Sequence, residues 1–474
     1  MATDGDVFDV IVVGAGPVGE NAAARAVRGG LTAAVVERRL AGGECSYYGC
    51  IPSKAMLWPM EIAAQVRRMP GLELRGPIDA AAVLARRDDF VYHHDDASQV
   101  NWIDKVPATF VRGQGRLAGP QRVEVTEPGG GVRVLTGRRA VVLATGTDPM
   151  IPPIPGLAEA APWTNRDATS VERVPRRLVV IGGGPVACEM SQALHSLGAA
   201  ETTMIVRDDH LLPRSEPFAG EMVAKSFQES GIKIRFGSSA MRVDRPVPGG
   251  TVTVATDDGT HIEADEILVA TGRLPVVAGI GLESVGLHPD GPLEVDDSMR
   301  VTAVPGGWLY AVGDVNGRNM LTHMGKYQAR ICGDVIAART KGLPDDRPSL
   351  RDSADGRGAP QAIFTDPQVV AAGRTEARAR ADGFRVRTVV FDLSGTAGAP
   401  LQADGYSGRA KIVVDEDRKV LLGGTVVGPA VVDHLHAIAI AVTAEVPLDQ
   451  LWHAVPAFPT VSEFWLYLLE QYGL

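Results

Sequence analysis

Two cysteines five positions apart are the residues whose type and spacing most directly suggest chemistry. Cys45 and Cys50 lie in the glycine-framed segment 42–54. A disulfide between them would require their Cα atoms to come within about 7 Å, so the chain would have to curl, which Gly49 permits. Pro52 suits the first turn of a helix. That helix would place Cys50 near its positive end, where a thiolate is stabilised.

The chain has four cysteines, and this pair leaves three interpretations open. In a reducing compartment a close pair is more often catalytic or metal-binding than structural. A structural metal needs about four ligands, and no second cysteine pair or close histidine pair accompanies this one, which counts against a metal site. Two buried, unpaired thiols are the third interpretation. Cys188 and Cys332 lie in helical segments and are interpreted as small core residues.

A glycine-rich turn near the N-terminus predicts a dinucleotide site. Gly14, Gly16 and Gly19 follow a β-branched run at Val7–Val13. The first glycine permits the tight turn, the second lets the backbone approach a pyrophosphate, and the third allows close packing of helix on strand. Glu37 ends the next strand, where its carboxylate can accept hydrogen bonds from ribose hydroxyls.

A second turn repeats the pattern with Gly182, Gly184 and Ala187. Arg207 ends the following strand, where an NAD site usually carries an acidic residue. An arginine there favours an extra 2′-phosphate, and Arg214 could share that charge. The acidic residues at 208 and 209 would repel the phosphate, and a solvated strand end is the alternative. The sequence therefore favours NADPH and leaves NADH open.

The elements that must position these residues form two strand–helix–strand units, which predicts duplicated dinucleotide-binding folds. The predicted elements are the strand Val7–Val13, the helix Gly19–Arg28 and the strand Leu31–Val36, then the strand Arg177–Ile181, the helix Val186–Leu197 and the strand Thr202–Val206. Beyond a linker at 341–360, a separate α+β domain is predicted. Its elements are the strands Phe384–Phe391, Gly408–Val414 and Val420–Gly428 and the apolar helix Val431–Val442.

Composition narrows the function classes. The chain has 474 residues, of which 45% are hydrophobic and 22% charged, the mix of a globular protein. Its formal charge of −10 argues against nucleic acid or an anionic membrane as the main partner. Neither a secretion signal nor an unbroken apolar run long enough for a membrane span is found, so a cytoplasmic protein is expected.

These motifs resemble those of the flavoprotein pyridine nucleotide–disulfide oxidoreductases over essentially the whole chain. The cysteine segment 42–54 is the most specific of them. The others are the two glycine-rich turns, the Ala-Thr-Gly turns at 144–146 and 270–272, the segment Ala311–Asp314, which is similar to the family's second FAD motif, and Phe364–Pro367 and Gly423–Pro429, which resemble its interface domain.

The resemblance implies an α/β protein with two Rossmann-like dinucleotide-binding domains and a C-terminal α+β dimerisation domain. It implies FAD in the first fold, NADPH or NADH in the second, and a homodimer. The expected domains are residues 1–150 (FAD-binding, first part), 151–275 (NAD(P)H-binding), 276–345 (completing the FAD site) and 346–474 (interface). The candidate cofactor-binding residues are Gly14, Gly16, Gly19, Glu37, Gly43, Lys54, Thr145, Gly146, Gly182, Gly184, Ala187, Arg207, Arg214, Gly272, Gly313 and Asp314.

The resemblance also implies a redox-active disulfide. Cys50 would be the flavin-proximal thiol and Cys45 the thiol that attacks substrate. Lys54 would pair with Glu189 beside the flavin, where a lysine stabilises negative charge and a buried lysine needs a carboxylate. The alternative for Glu189 is an exposed helix residue.

The chain departs from the family at its catalytic acid/base. Family members that reduce disulfides carry a histidine at the position of Phe458, held by a glutamate that corresponds to Glu463. Phenylalanine carries no proton, and general acid–base assistance is typically worth about 10²–10⁴-fold in rate. His453 is the nearest histidine in sequence and a weak substitute. Mercuric reductases also lack the histidine, but they end in a cysteine pair that this chain lacks.

Two acceptor classes follow. The first is a small disulfide whose thiols leave without help from a histidine, which a low leaving-group pKa permits. The second is a quinone or similar acceptor that takes electrons from reduced flavin, with the disulfide secondary. Dihydrolipoyl dehydrogenase is less expected because it depends on the missing histidine. A non-catalytic role is disfavoured because both nucleotide motifs are intact.

Overall fold

The computed structural model describes residues 6–288 and 290–474. Its strands are β1 Val7–Val13, β2 Ala33–Glu37, β3 Thr109–Arg112, β4 Gln114–Leu117, β5 Arg122–Thr126, β6 Val132–Leu143, β7 Thr147–Pro149, β8 Arg177–Ile181, β9 Glu201–Val206, β10 Lys233–Phe236, β11 Ala240–Asp244, β12 Val252–Thr256, β13 His261–Ala264, β14 Glu266–Val269, β15 Arg273–Pro275, β16 Leu309–Ala311, β17 Pro360–Ile363, β18 Gln368–Gly373, β19 Val386–Asp392, β20 Arg409–Asp415 and β21 Val420–Gly428.

Its α-helices are α1 Pro17–Arg28, α2 Gly43–Tyr47, α3 Cys50–Arg68, α4 Ala80–Phe90, α5 Ala97–Lys105, α6 Asn165–Thr169, α7 Pro185–Ser196, α8 Pro217–Ser230, α9 Thr322–Thr340, α10 Glu376–Ala381, α11 Gly398–Gln402, α12 Leu435–Thr443, α13 Leu448–Leu451 and α14 Phe464–Tyr472. Short 3₁₀ turns include Tyr92–His94, Gly313–Asn316, Val432–His434 and Val461–Glu463.

The chain divides into two compact units. The first comprises the residues up to Ile51, Asp88–Pro149 and Arg273–Asp355. Its seven-stranded sheet has the order β3-β2-β1-β6-β5-β4, with β16 paired to β6. β1, β2, β3, β6 and β16 run parallel, and β4 and β5 are antiparallel. Strand residues Val10–Val13 are fully or almost fully buried, as expected for a parallel strand covered on both faces.

The first strand–helix–strand unit forms as predicted, with shifted boundaries. α1 begins at Pro17 and not at Gly19, because proline lacks an N–H that the first helical turn would leave unbonded anyway. β2 begins at Ala33 and not at Leu31, and it ends on Glu37.

The second unit comprises Pro52–Arg87, Met150–Gly272 and Gly356–Leu474. It contains a four-stranded parallel sheet of order β10-β9-β8-β14 and a three-stranded antiparallel sheet, β11-β12-β13. β8 has its predicted boundaries, whereas α7 lies one residue earlier than predicted and β9 begins one residue earlier. The mixed α/β class with two parallel-sheet folds is thus confirmed.

The C-terminal part of the second unit contains a five-stranded antiparallel sheet of order β17-β18-β21-β20-β19. β21 has its predicted boundaries, and β19 and β20 lie one or two residues later than predicted. The single apolar helix predicted at Val431–Val442 is wrong in its first turn, because Val432–His434 forms a 3₁₀ turn before α12 begins. Among the described residues, no helix has the length and apolar character needed to cross a membrane.

Candidate redox and nucleotide sites

Cys45 and Cys50 lie close together in the first unit. Cys45 is the third residue of the short helix α2, and Cys50 is the first residue of α3. The structure holds both as thiols with a hydrogen bond between them. The Sγ atom of Cys50 also lies 3.4 Å from the Oγ1 atom of Thr322, at the start of α9. The chain therefore curls between the two cysteines, as their spacing predicts.

The two thiols are electrostatically different. The hydrogen bond with Cys50, followed by burial, raises the pKa of the Cys45 thiol well above its usual value. Cys50 begins a helix of 19 residues, and the N-terminal end of a helix favours negative charge. When the pair loses one proton, we therefore expect the negative charge to reside on Cys50.

Gly49 allows the turn by leaving space. A Cβ atom at this position would lie 3.1 Å from the carbonyl oxygen of Glu44 and 3.6 Å from the Cα atom of Cys45. The φ angle of Gly49 is not positive, so a left-handed backbone is not the reason for glycine. A side chain at this position would crowd the backbone of α2 at Glu44 and Cys45, which would have to shift slightly. Pro52 is the third residue of α3, in its first turn as predicted.

Two tyrosines lie between the cysteines and have different environments. Tyr47 is 1% exposed, and burial, followed by the charge of nearby acidic groups, raises its pKa to about 12. Tyr48 is half-buried, with its ring centroid 5.1 Å from that of His94. Tyr47 therefore packs in the interior, and Tyr48 is the one with surface available to an acceptor.

Lys54 and Glu189 form an ion pair in the second unit. The Nζ atom of Lys54 lies 2.7 Å from Oε2 of Glu189, whose side chain is only 8% exposed. The Oε1 atom of Glu189 accepts a hydrogen bond of 2.9 Å from the backbone N–H of Phe364. Lys54 also lies over the Phe364 ring, 4.9 Å from its centroid. Glu189 is thus a buried partner of Lys54 and not an exposed helix residue.

The first glycine-rich turn has the geometry that its three positions require. Gly14 has a φ angle of +106°, and a Cβ there would lie 2.3 Å from the carbonyl oxygen of Ala144. A Cβ on Gly19 would lie 1.9 Å from the carbonyl oxygen of Gly14. No atom lies within 4 Å of the Cβ position of Gly16, so the backbone is open there. A pyrophosphate fits this arrangement, because its oxygens need close approach to backbone N–H groups.

Glu37 lies beside this turn. Its Oε2 atom accepts a hydrogen bond of 2.8 Å from the N–H of Ala15, and its Oε1 atom accepts one of 2.7 Å from the N–H of Arg39. Gly43 approaches the same turn from α2, since a Cβ there would lie 2.9 Å from the Cα atom of Gly16. The candidate FAD residues Gly16, Glu37 and Gly43 are therefore brought together.

Asp314 is tied to the segment that follows β6. Its Oδ2 atom accepts a hydrogen bond of 2.8 Å from the hydroxyl of Thr147, which in turn accepts one of 2.7 Å from Nε of Arg273. Burial raises the pKa of Asp314. The hydroxyl of Thr145 donates to the carbonyl of Val276. The resemblance did not point to Thr147 or Arg273, since nothing local to either marks this contact.

Gly146 and Gly313 have left-handed backbones in the same unit, with φ angles of +72° and +76°. The Cβ position of Gly146 is open, with no atom within 4 Å, whereas a Cβ on Gly313 would lie 3.2 Å from the Val18 side chain. The residues predicted to bind FAD thus include two open backbone positions, Gly16 and Gly146, which is consistent with a bound dinucleotide.

The second turn reproduces the first. Gly182 has a φ angle of +132°, and a Cβ there would lie 2.4 Å from the carbonyl oxygen of Ala270. The Cβ position of Gly184 is open, and Ala187 is fully buried. Gly272, with a φ angle of +152°, has only the Cε atom of Met150 near its Cβ position, at 3.4 Å. The buried methyl group of Ala187 thus fits at the third position of the second turn, where the first turn has Gly19.

The strand end beside the second turn is basic and exposed. Arg207 directly follows β9, and both Arg207 and Arg214 are exposed. Of the two acidic residues that the sequence places next to Arg207, Asp209 is engaged with the imidazole of His210. His210 is a third basic group in this region, which the sequence-based prediction missed.

In the C-terminal segment, Phe458 and Glu463 have different environments. Phe458 is 78% exposed, whereas Glu463 is buried. The Oε1 atom of Glu463 accepts a hydrogen bond of 3.0 Å from the backbone N–H of Thr460, as part of a capping box at the 3₁₀ turn Val461–Glu463. The carboxylate that would hold the family histidine therefore caps a turn of its own segment.

A histidine that sequence spacing did not suggest contacts this segment. His453 is exposed, and its backbone N–H bonds to the carbonyl of Gln450. The Nδ1 atom of His434 lies 3.3 Å from the hydroxyl of Ser462, and burial lowers the pKa of His434. His434 and Ser462 lie 28 positions apart, so no local pattern indicated the contact.

The family model for pyridine nucleotide-disulphide oxidoreductases matches residues 8–329, and that for the dimerisation domain of the same family matches residues 359–468. Dihydrolipoyl dehydrogenase of Chlamydia muridarum is 30% identical and covers 97% of this chain and 96% of its own. The enzyme of the same name from Halobacterium salinarum is 31% identical over 96% of this chain and 94% of its own. Mercuric reductase of Staphylococcus aureus is 28% identical over 97% of this chain and 81% of its own.

Solved structures agree with this result. LpdA from Mycobacterium tuberculosis superposes with a TM-score of 0.83 at 25% identity, over 98% of this chain and all of that one. The flavoprotein disulfide reductase RclA from Escherichia coli, in its Cu(II) complex, gives a TM-score of 0.81 at 21% identity over 98% and 99% of the two chains, a likeness of fold. Family members are FAD-dependent and use NAD(P)H. The chain belongs to the pyridine nucleotide-disulphide oxidoreductases.

Proposed function

We propose that this enzyme reduces a low-molecular-weight disulfide through Cys45 and Cys50 without a histidine base. The hydrogen-bonded thiol pair, with Thr322 beside it, carries the proposal. FAD, when bound, supplies the transfer of two electrons from NAD(P)H to the Cys45–Cys50 disulfide. The residues that would hold it are those around Gly16, Glu37 and Asp314, whose open backbone and carboxylates fit a dinucleotide.

The chemistry with the acceptor then belongs to the two thiols. The sulfur of Cys45 attacks one sulfur of the substrate disulfide, which breaks that bond and releases the first thiolate. The sulfur of Cys50 attacks Cys45 in the mixed disulfide, which closes the Cys45–Cys50 bond and releases the second thiolate. Two electrons pass from the dithiol to the substrate, and the two thiol protons end on the products.

Proton transfer is the step for which this chain lacks the family's histidine. Cys45 must lose its proton to attack, and its raised pKa makes this costly. The hydrogen-bonded Cys50 thiolate is the group placed to accept that proton. No side chain at position 458 protonates the leaving sulfur, so we expect acceptors with acidic thiols to be reduced faster than alkyl disulfides such as lipoamide.

A comparison of acceptors tests this proposal. An aryl disulfide with acidic thiols and lipoamide would be supplied to the wild type and to Cys45→Ser under NADPH. We expect the aryl disulfide to turn over much faster than lipoamide, and both activities to vanish in the variant. Efficient oxidation of dihydrolipoamide by NAD⁺ would instead assign dihydrolipoyl dehydrogenase activity, the activity named for two of the relatives above.

A quinone is the second candidate acceptor, because phenylalanine stands at position 458, where disulfide-reducing family members carry the acid/base histidine. Reduced flavin can pass electrons to a quinone without a protein acid/base on the thiol side. In that case Cys45→Ser would leave quinone turnover intact. Equal quinone and aryl-disulfide rates in the wild type, with both lost in Cys45→Ser, would exclude this candidate.

For the nucleotide, we propose NADPH with NADH as a weaker donor. Arg207, directly after β9, and Arg214 are both exposed, so their guanidinium groups are accessible to a 2′-phosphate. We expect Arg207→Glu to raise the KM for NADPH and lower that for NADH.

The chain's dimerisation domain supports a homodimer, and the exposed apolar residues Val455 and Phe458 would be covered by a second copy.

A further inference from the structure

The backbone turn that carries Asp314 is held from behind by a buried amide. Gln328, on α9, is fully buried. Its Oε1 atom accepts a hydrogen bond of 2.8 Å from the N–H of Gly313 and one of 2.9 Å from Nδ2 of Asn316. One turn earlier on α9, Gly325 packs against the same place, since a Cβ there would lie 3.1 Å from the Cα atom of Gly313.

The orientation of this amide is set by a carboxylate. Nε2 of Gln328 donates a hydrogen bond of 2.9 Å to Oδ2 of Asp355, whose Oδ1 accepts one of 3.0 Å from Nδ2 of Asn319. A side-chain amide has a donor end and an acceptor end. Because Asp355 can only accept when ionised, it requires the donor end of Gln328. The acceptor end therefore faces the N–H of Gly313.

We propose that Gln328 and Asp355 are positioning residues for the flavin, which hold the Gly313–Asp314 turn in the conformation that binds it. The inference rests on the assignment of Asp314 to the FAD site. Gly313 has a left-handed backbone with its N–H directed at Gln328, so loss of that bond would leave a buried N–H unsatisfied and free the turn to change.

Charged groups of both signs lie near Asp355. Burial, followed by the charge of the nearby Asp352, raises the pKa of Asp355 to about 6. Arg318 compensates, with Nη1 at 3.0 Å from Asp352 and 3.8 Å from Asp355. The hydroxyl of Tyr327 accepts the N–H of Ser353. At pH 8 Asp355 is ionised, so the test is made there.

The test exchanges the amide and the carboxylate. Gln328→Glu at pH 8 would place two carboxylates against each other, and we expect FAD to dissociate about tenfold more readily, the effect of losing one hydrogen bond to a charged group. Adding Asp355→Asn would restore an amide donor opposite the new carboxylate, while its oxygen still accepts from Asn319. We expect the double variant to retain FAD within about threefold of the wild type.

The readouts are the FAD dissociation constant, from the quenching of flavin fluorescence on reconstitution, and the flavin absorption spectrum. Asp345→Asn is the matched control, because Asp345 pairs with Arg300 and Arg339 in the same chain segment without touching Gln328. If Gln328→Glu does not fold, Asp355→Asn alone should still weaken FAD binding more than the control does.

Unchanged FAD binding in Gln328→Glu, or a double variant as weak as the two single changes combined, would overturn the inference. A wild-type protein that binds no FAD would refute the proposed function instead.

Discussion

The thiol segment 42–54 and the C-terminal segment 455–463 correspond to the two halves of the family's disulfide chemistry. In the first, every feature that supports thiol exchange is present: adjacent sulfurs, a helix start at Cys50 and a hydroxyl from Thr322. In the second, proline, threonine and glutamate keep their positions, yet Phe458 is exposed and Glu463 caps a turn. Under the proposed function, the thiol segment carries the electrons to the acceptor, and no histidine at position 458 serves proton transfer.

Glu463 has a backbone role that does not depend on a histidine at position 458. Glu463 is buried and bonded to Thr460, so it stabilises the local turn whether or not a histidine stands at 458. A glutamate in register with a family motif is therefore not evidence that the motif works. The following predictions test this contrast.

The largest effect is expected from removing the attacking thiol. In Cys45→Ser, disulfide reduction should fall by about 10³-fold or more, because the nucleophile is lost. Reduction of the flavin by NADPH should continue, since that half-reaction does not use Cys45. Stopped-flow absorbance of the flavin and steady-state thiol release measure the two halves separately. If flavin reduction by NADPH is lost as well in Cys45→Ser, that half-reaction depends on Cys45 and the prediction is wrong.

The ion pair that follows Cys50 on α3 should contribute strongly to stability. Lys54→Met leaves the buried Glu189 without its cation, and we expect the free energy of unfolding to fall by about 2 kcal/mol, below the usual range for buried pairs because Lys54 is 26% exposed. Lys54→Arg keeps the charge and serves as the control. Urea denaturation followed by circular dichroism gives the difference, and equal stabilities of the two variants would contradict the electrostatic explanation.

A histidine introduced at position 458 should supply the acid/base that distinguishes disulfide-reducing family members from this chain. Phe458→His is expected to raise lipoamide turnover by about tenfold, less than the full range for acid–base catalysis because Glu463 is already engaged with Thr460. The gain should appear with a bell-shaped pH profile. Phe458→Leu, which adds no proton donor, should leave turnover unchanged. A similar gain in Phe458→His and Phe458→Leu would mean that the smaller side chain, and not proton transfer, raises the turnover.

The smallest effect concerns Glu463. Glu463→Ala removes one arm of the capping box and should lower the free energy of unfolding by about 1 kcal/mol. Glu463→Gln still accepts the Thr460 N–H and should be close to wild type in both stability and pH–rate profile. If the glutamine variant instead changes the pH profile of disulfide reduction, Glu463 takes part in proton transfer.

Local sequence signals predicted the parts of the sites that depend on backbone constraint. Gly14, Gly19 and Gly182 lie where a Cβ would collide with a carbonyl oxygen, so glycine spacing alone identified both turns. The curl between Cys45 and Cys50 followed from the same kind of argument, and the structure adds that Gly49 permits it by leaving space for the backbone of α2.

The contacts that could not be predicted join residues far apart in the chain. Thr322 lies 272 positions from Cys50, and Asp314 lies 167 positions from Thr147. The pairing of Lys54 with Glu189, 135 positions away, came only through the family resemblance. Side-chain partners of this kind depend on how separate elements pack, and neither periodicity nor spacing carries that information.

Glu189 divides its two oxygens between Lys54 and the backbone of Phe364. The side chain that neutralises the lysine thereby also holds the backbone directly after β17, within the dimerisation domain. A neutral residue at position 189 would have to keep an oxygen for the Phe364 N–H, as glutamine does, and would leave Lys54 without its counter-charge. Engineering the charge near the start of α3 would therefore have to change positions 54 and 189 together.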